Sequence, residues 1–284
     1  MMNYPLNMLY IEHLIDRALD EDIGTGDVTT SAIFGASGGR VTANLVARQD
    51  GVLCGVGIFE KTILRLDGTA LFKVDMKDGD FFHKGDVLRE VNAEVCPLLS
   101  AERVALNFLQ HLSGVATLTA KYVKAVAGTK ARITDTRKTI PGLRPLEKYA
   151  VRCGGGHNHR QTLADMVLIK DNHIAYAGGI KPAVELVRRN SSHALKIEVE
   201  VNRLEQIKDA LESQVDVIML DNMDVEEMRS AVQLVGDKAL VEASGGVNLD
   251  NVREIAECGV DIISVGRLTH SAAGVDISLD FEER

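Results

Sequence analysis

The sequence predicts an α/β protein: an incomplete (β/α) barrel with a smaller α/β N-terminal domain to which the C-terminal tail is expected to return. Three observations predict it. From residue 132 onward, short β-branched runs alternate with amphipathic helical spacings. The later strand ends fall near 200, 221, 243 and 265, a β-loop-α unit of roughly twenty residues. The first hundred residues lack that rhythm and read as one helix followed by several strands. At 284 residues the chain suits two domains. The expected division is 1–115 together with the tail 275–284, and 116–274 for the barrel.

Taken in order, Leu9, Ile11, Leu14, Ile15, Ala18 and Leu19 have helical spacing, and Asp22-Ile23-Gly24-Thr25-Gly26-Asp27 stops the helix. Strands are expected at Val41–Ala47, Gly51–Val56, Leu71–Met76 and Val87–Val91. The turns Asp78-Gly79-Asp80 and Lys84-Gly85-Asp86 resemble those of biotinyl and lipoyl carrier domains. A carrier needs its lysine at a hairpin tip, whereas Lys77 lies at a strand boundary, so structural turns are expected. A long helix follows from about Pro97 to Ala127, with Ser100 as its expected N-cap.

Barrel strands are expected at Ile133-Thr134, Met166–Ile169, Leu195–Val199, Val215–Leu220, Ala239–Val241 and Asp261–Val265. Six strands fall short of a complete eight-stranded barrel. Helical stripes lie between the later ones: Ile180, Ala183, Val184 and Val187; Leu204, Ile207 and Leu211; Val225, Met228, Val232 and Val235; Leu249, Val252, Ile255 and Ala256. Asp276–Phe281 alternates like a strand.

The composition, 45% apolar and 26% charged, is that of a soluble protein, and no apolar run approaches the roughly 20 residues of a membrane span. The first residues carry no basic or apolar leader pattern. Cys54, Cys96, Cys153 and Cys258 show no CxxC spacing, which favours packed, reduced thiols in a cytoplasmic setting; Cys153, beside a glycine run, is the candidate for a reactive one. The net charge of −9 and the absence of tryptophan argue against a nucleic-acid surface. Between Arg132 and Lys170, however, eight bases face three acids, a local +5 that leaves −14 for the rest of the chain. Such an island suits a focused pocket for a small polyanion.

The residues that carry chemistry gather at strand ends, where α/β folds place their sites. Arg137 and Lys138 follow the first barrel strand. Guanidinium forks bind carboxylate or phosphate in a bidentate way, so an arginine-rich cluster points to such ligands. Gly154-Gly155-Gly156 leads into His157-Asn158-His159-Arg160; the two histidines suit hydrogen bonding or anion contact better than zinc, which would want further Cys or His ligands. Lys170 is either an ammonium for an anionic substrate or a Schiff-base nucleophile. Glu200 and Asp221 end the next two strands. They suit Mg²⁺ held partly through water and substrate phosphates, or stabilisation of a developing positive charge. Glu198 shares the face of Glu200. Ser244-Gly245-Gly246 and Val265-Gly266 end the last two strands, where barrels build phosphate sites.

Together with Glu102-Arg103-Val104-Ala105-Leu106-Asn107, Asp135–Arg144, Leu168–His173 and Leu268-Thr269-His270-Ser271, these stretches resemble the quinolinate phosphoribosyltransferase family over essentially the whole chain. The resemblance implies an enzyme of NAD biosynthesis that makes nicotinate mononucleotide, pyrophosphate and CO₂ from quinolinate and phosphoribosyl pyrophosphate. It implies a homodimer in which Arg103 reaches the other subunit's site, or a larger assembly of such dimers up to a hexamer of dimers. Arg103, Arg137, Lys138, His159, Arg160 and Lys170 would line the quinolinate pocket. Glu200, Asp221, Ser244, Gly245, Gly246 and Gly266 would hold the Mg²⁺-bound phosphoribosyl donor, with Glu200 and Asp221 toward the metal, and Thr136, Val265 and Arg267 complete the expected substrate-binding set. Lys138, Lys170, Glu200 and Asp221 are the expected catalytic set. Arg267 departs from the family pattern, where a small residue is expected; it either adds a phosphate contact or faces solvent. The two rival readings are an oxyanion-binding homologue of the molybdenum-transport type and a Schiff-base lyase using Lys170.

Overall fold

The structure is a computed structural model, and it describes residues 6–35, 38–73 and 76–281. The chain forms two compact units, the first with a four-stranded and a two-stranded sheet and the second with a six-stranded sheet. The first contains residues 1–118, 141–155 and 271–284, and the second contains 119–140 and 156–270. The first thus takes in 141–155, a segment that the sequence reading left with the barrel.

In the first unit, α1 (Met8–Ile23) is capped by Asn7 and stops at Gly24, whose φ of 55° a glycine adopts without strain. A short α2 (Val28–Phe34), absent from the sequence reading, follows, because Asp27 accepts the Thr30 amide at 2.9 Å as its N-cap. Next come β1 (Arg40–Ala47), β2 (Gly51–Val52), α3 (Val56–Leu66), β3 (Leu71–Lys73), β4 (Phe81–Phe82), β5 (Val87–Glu94) and α4 (Val95–Ala125).

Three expectations need correction here. The strand expected over Gly51–Val56 ends at Val52 and gives way to a helix, because Gly55 turns at φ 100° and Asp78 caps the helix start through the Gly55 and Val56 amides, at 2.9 and 3.0 Å. A cap supplied from more than twenty residues away leaves no local mark. Ser100 is not an N-cap: α4 begins at Val95, and the Ser100 hydroxyl donates to Asp27 at 3.0 Å. The strand at 71 ends at Lys73 within the described residues; positions 74 and 75 of the expected strand lie outside them.

The second unit opens with β6 (Arg132–Thr134). After α5 (Arg144–Cys153), which belongs to the first unit, come β7 (Val167–Ile169), α6 (Asp171–Ala177), α7 (Ile180–Asn190), β8 (Ile197–Val201), α8 (Glu205–Glu212), β9 (Val217–Asp221), α9 (Val225–Val235), β10 (Leu240–Ser244), α10 (Val252–Glu257), β11 (Ile262–Ser264) and α11 (Arg267–His270). The six strands are parallel and run in the order β6-β11-β10-β9-β8-β7. Since β6 and β7 are the two edges, the barrel is open between strands that follow one another in the chain. It is the incomplete (β/α) barrel that the sequence predicts. Two strands sit later than expected: β8 by two residues, so that Glu200 lies inside it, and β10, which reaches Ser244.

The chain then returns as β12 (Ile277–Phe281), antiparallel to β1 from Ala43↔Phe281 to Ala47↔Ile277, which completes the first unit's sheet in the order β12-β1-β5-β3. Gln110 Nε2 donates to the Ile277 carbonyl at 2.7 Å, and a Cβ on Gly114 would fall 2.1 Å from the Ala273 oxygen. The tail therefore crosses α4 where only glycine lets two backbones meet.

Candidate active site

The site lies wholly in the second unit, at the C-terminal ends of its strands. Asp135, fully buried just past β6, organises one wall: its carboxylate accepts from the His159 amide at 2.9 Å and from the Asn158 side chain. The backbone of His157 bridges Thr134 in parallel, so His157–Arg160 runs on beside β6. Sequence reasoning placed Asp135 in a motif without giving it a role; the signal was an acid inside a basic run.

His159 is the pivot of the barrel interior. Its Nδ1 accepts the Arg160 amide at 2.7 Å, which places the ring proton on Nε2, 3.1 Å from Glu198 and 3.7 Å from Glu242. Both ring nitrogens thus serve the protein, and His159 meets Glu198 and Glu242 rather than pairing with His157. Glu198 is fully buried and Glu242 nearly so. Burial, reinforced by the Glu198 charge, pushes the Glu242 carboxyl up to about 8, so it keeps its proton at neutral pH. Glu242 was missed because it sits mid-strand in an apolar run, and only its register beside β9 and β11 brings it under the site.

Above these groups, a cavity of about 410 Å³ collects Thr136, Arg137, Lys138, His159, Arg160, Lys170, Glu200, Asp221 and Ser244 from the expected set, with Asn222, Glu242 and Ser264 among its further lining residues. Arg160 anchors through one terminal nitrogen to the Met166 carbonyl at 3.0 Å, while its buried Nε has no partner among the described residues. Burial and the nearby Arg137 charge draw the Arg160 guanidinium below its ordinary range. An unmatched buried donor beside a second guanidinium suits an anionic ligand, although the Glu198 and Asp165 charges partly offset the pair. Opposite, the Lys170 ammonium is engaged by Glu200, the arrangement of a charge partner rather than of a free amine nucleophile.

A second cavity of about 210 Å³ adjoins the first through Thr136, Lys138, Ser244 and Ser264, and adds Gly245, Gly246, Val265, Gly266, Arg267 and His270. Positive φ angles favour glycine at Gly245 and Gly246. Gly245 has φ +90°, and a Cβ there would fall 2.2 Å from the Asn222 side chain; a Cβ on Gly266 would fall 2.9 Å from Lys138 Cδ. Arg267 is exposed at this rim, while Val265 is buried and donates its amide to Thr134. Arg103 is not among the residues lining either cavity; it is an exposed residue of α4 in the first unit.

Two oxygen donors on neighbouring strands, Glu200 and Asp221, border the larger cavity, and the Asp221 carboxylate also accepts from Asn222 at 3.0 Å. Carboxylates of this kind fit a magnesium ion that takes its remaining ligands from water and substrate phosphate.

An anion pocket walled by arginine and lysine, next to a glycine-floored recess at the mouth of a β/α barrel, defines a class of enzyme that handles acidic and phosphorylated small molecules. The sequence profile of the quinolinate phosphoribosyl transferase C-terminal domain matches residues 115–280, and that of the N-terminal domain matches 27–113. The chain is 43% identical over 275 residues to the probable nicotinate-nucleotide pyrophosphorylase (carboxylating) of Bacillus subtilis strain 168, covering 97% of this chain and 94% of that protein. It is 45% identical over 272 residues to the nicotinate-nucleotide pyrophosphorylase (carboxylating) of Mycobacterium leprae, covering 94% and 95%. The crystal structure of NadC from Streptococcus pyogenes superposes with a TM-score of 0.94 at 39% identity, covering 99% of this chain and all of that one. The chain belongs to the quinolinate phosphoribosyltransferase family.

Proposed function

We propose that the protein transfers the phosphoribosyl group of phosphoribosyl pyrophosphate to the ring nitrogen of quinolinate, with loss of CO₂, to give nicotinate mononucleotide and pyrophosphate in NAD biosynthesis. The observation that carries this reading is the cavity in which Arg137, Lys138, Arg160 and Lys170 face Glu200 and Asp221. Quinolinate has two adjacent carboxylates and needs cations of fixed geometry, which arginine forks supply. The donor sugar gains positive charge as pyrophosphate leaves, and Glu200 and Asp221 border the space where that charge develops. Thr136, Ser244, Gly245, Gly246, Val265, Gly266 and Arg267 would receive the phosphates in the adjoining recess. Glu200 and Asp221 would hold Mg²⁺, which when bound neutralises the diphosphate leaving group.

His159 acts in this reading by orientation, since its Nδ1 accepts the Arg160 amide and its Nε2 lies 3.1 Å from a Glu198 oxygen. Once the ring nitrogen carries ribose, the C2–carboxylate bond breaks. CO₂ departs, the electron pair stays on the cationic ring, and a proton from solvent completes C2. No side chain is required as a base.

Arg103 would serve the cavity of a second copy in a homodimer, which its exposure on α4 allows. Mixing Arg103→Ala with Arg137→Ala is then expected to restore part of the activity that each lacks alone. A cytoplasmic setting accords with four unbridged cysteines.

The direct test incubates purified protein with quinolinate, phosphoribosyl pyrophosphate and Mg²⁺ and follows nicotinate mononucleotide. Formation that requires all three and collapses in Arg137→Ala supports the reading. Oxyanion binding without turnover, or borohydride trapping of a carbonyl compound on Lys170, would replace it with one of its rivals.

A further inference from the structure

In the first unit, two thiols and a carboxylate converge: the sulfurs of Cys54 and Cys153 and an oxygen of Asp78 all lie within 4.8 Å of one another. They come from distant parts of the chain. Cys54, fully buried in the turn between β2 and α3, is held by two hydrogen bonds with Ser113, at 3.1 and 3.2 Å. Cys153 is the last residue of α5 and is partly exposed.

Three ligand-type groups suggest a metal, but the carboxylate is already committed. One Asp78 oxygen caps α3 through the Gly55 and Val56 amides, and the other accepts the Tyr149 hydroxyl at 2.8 Å. That leaves a thiol pair whose members differ. Cys54 is buried, and burial pushes its thiol up. Cys153 is drawn below the ordinary thiol range, chiefly because the Cys54 thiol donates to it, with the Arg152 charge adding to the effect against the opposing pull of burial and the Asp78 charge. A partly exposed sulfur with thiolate character beside a protonated one is the arrangement in which the first is oxidised and the second resolves it.

We propose that Cys54 and Cys153 form a redox-active dithiol, in which a peroxide oxidises Cys153 and Cys54 closes the disulfide. The Cys153 thiolate attacks one peroxide oxygen and the O–O bond breaks; the Cys153 sulfur becomes a sulfenic acid and the other oxygen leaves as water after protonation. The Cys54 sulfur then attacks the Cys153 sulfur, its proton and the sulfenic hydroxyl leave as a second water, and the S–S bond forms. Two thiols are oxidised, and one peroxide is reduced to two waters. The bridge pins the last turn of α5, from which Gly154-Gly155-Gly156 carries the chain to the His157–Arg160 segment.

The test treats the full-length reduced protein with one equivalent of hydrogen peroxide and maps its peptides by mass spectrometry. The expected product is a Cys54–Cys153 cross-linked peptide lighter by two hydrogens and restored by dithiothreitol, with Cys96 and Cys258 still alkylatable. In Cys54→Ser, the expected product is a Cys153 sulfenic acid trapped by dimedone; in Cys153→Ser, Cys54 stays unmodified. Three results would overturn the proposal: sulfinic acid on Cys153 of the wild-type protein with Cys54 still free, oxidation beginning at Cys54, or a stoichiometric zinc ion that purifies with the protein and is lost in Cys54→Ser. None of these readouts depends on quinolinate turnover, so the outcome is independent of the functional reading above.

Discussion

In the first unit the sheet β12-β1-β5-β3 encloses Leu45, Phe59, Phe82, Leu88, Leu98 and Leu109, a core of hydrocarbon with scarcely a polar atom. In the second, the parallel strands β8 and β10 bring Glu198 and Glu242 together beside His159, and a cationic cavity opens above them. One unit gains stability by excluding water from apolar surface. Both units bury charge, the first at Asp67, Glu147 and Lys148 and the second at Glu198, but the second unit's cavity adds an unmatched guanidinium donor among the described residues, a feature that costs stability and that a ligand would complete. The difference teaches that substitutions in the apolar core of the first unit should act on unfolding, and substitutions at the cavity on turnover.

The comparison is broken most severely at the anion wall. Arg160→Ala is expected to lower kcat/KM for quinolinate on the order of 10²–10³-fold with little change in unfolding, because under the proposed function it removes a donor that would meet the ligand; steady-state kinetics beside a urea melt separate the two effects. The mirror experiment is Phe59→Ala, fully buried in the apolar core, with an expected cost of about 3–5 kcal/mol and an unchanged kcat for the molecules that remain folded. Gly114→Ala drives a Cβ against the Ala273 carbonyl, and the strained tail should cost about 1–3 kcal/mol in urea denaturation, again without an effect on KM.

A subtler contrast lies in pH. The folded Glu242 carboxyl, at about 8, binds its proton more tightly than the unfolded chain does near 4.5. Its contribution to stability is complete below the unfolded value and is lost as pH rises through about 8. Urea midpoints taken between about pH 6 and about pH 9 should fall for the wild type and fall less for Glu242→Gln, which has no charge to expose; parallel slopes would contradict the assignment. The smallest effect is expected on the outside of the barrel. Asp224 caps α9 in a reciprocal pair with Glu227, so Asp224→Ala should cost about 1 kcal/mol and leave kinetics untouched.

Much of the fold was legible because its determinants are local. Val225, Met228, Val232 and Val235 repeat at helical spacing and form α9, and alternation over Asp276–Phe281 gives β12. Where a partner from elsewhere decides, the local pattern misled. The apolar run Val52-Leu53-Cys54-Gly55-Val56 reads as a strand until Asp78 caps a helix in its midst, and Ser100 reads as a cap until the helix is seen to start at Val95. In the site, the strand-end residues Arg137, Lys138, Lys170, Glu200, Asp221 and Ser244 could be picked out from the sequence, whereas Glu242 could not, since nothing local distinguishes a buried acid within a strand from an exposed one.

The sequence by itself therefore determined the order of helices and strands and which strand ends carry charge, because side-chain spacing and residue type suffice for both. Only the tertiary structure decided that β6 lies beside β11, that the His159 proton faces Glu198, that Glu242 stays protonated, and that Cys54 meets Cys153. Each of these depends on groups distant in the chain being brought within a few ångströms, where desolvation and hydrogen bonding set their chemistry.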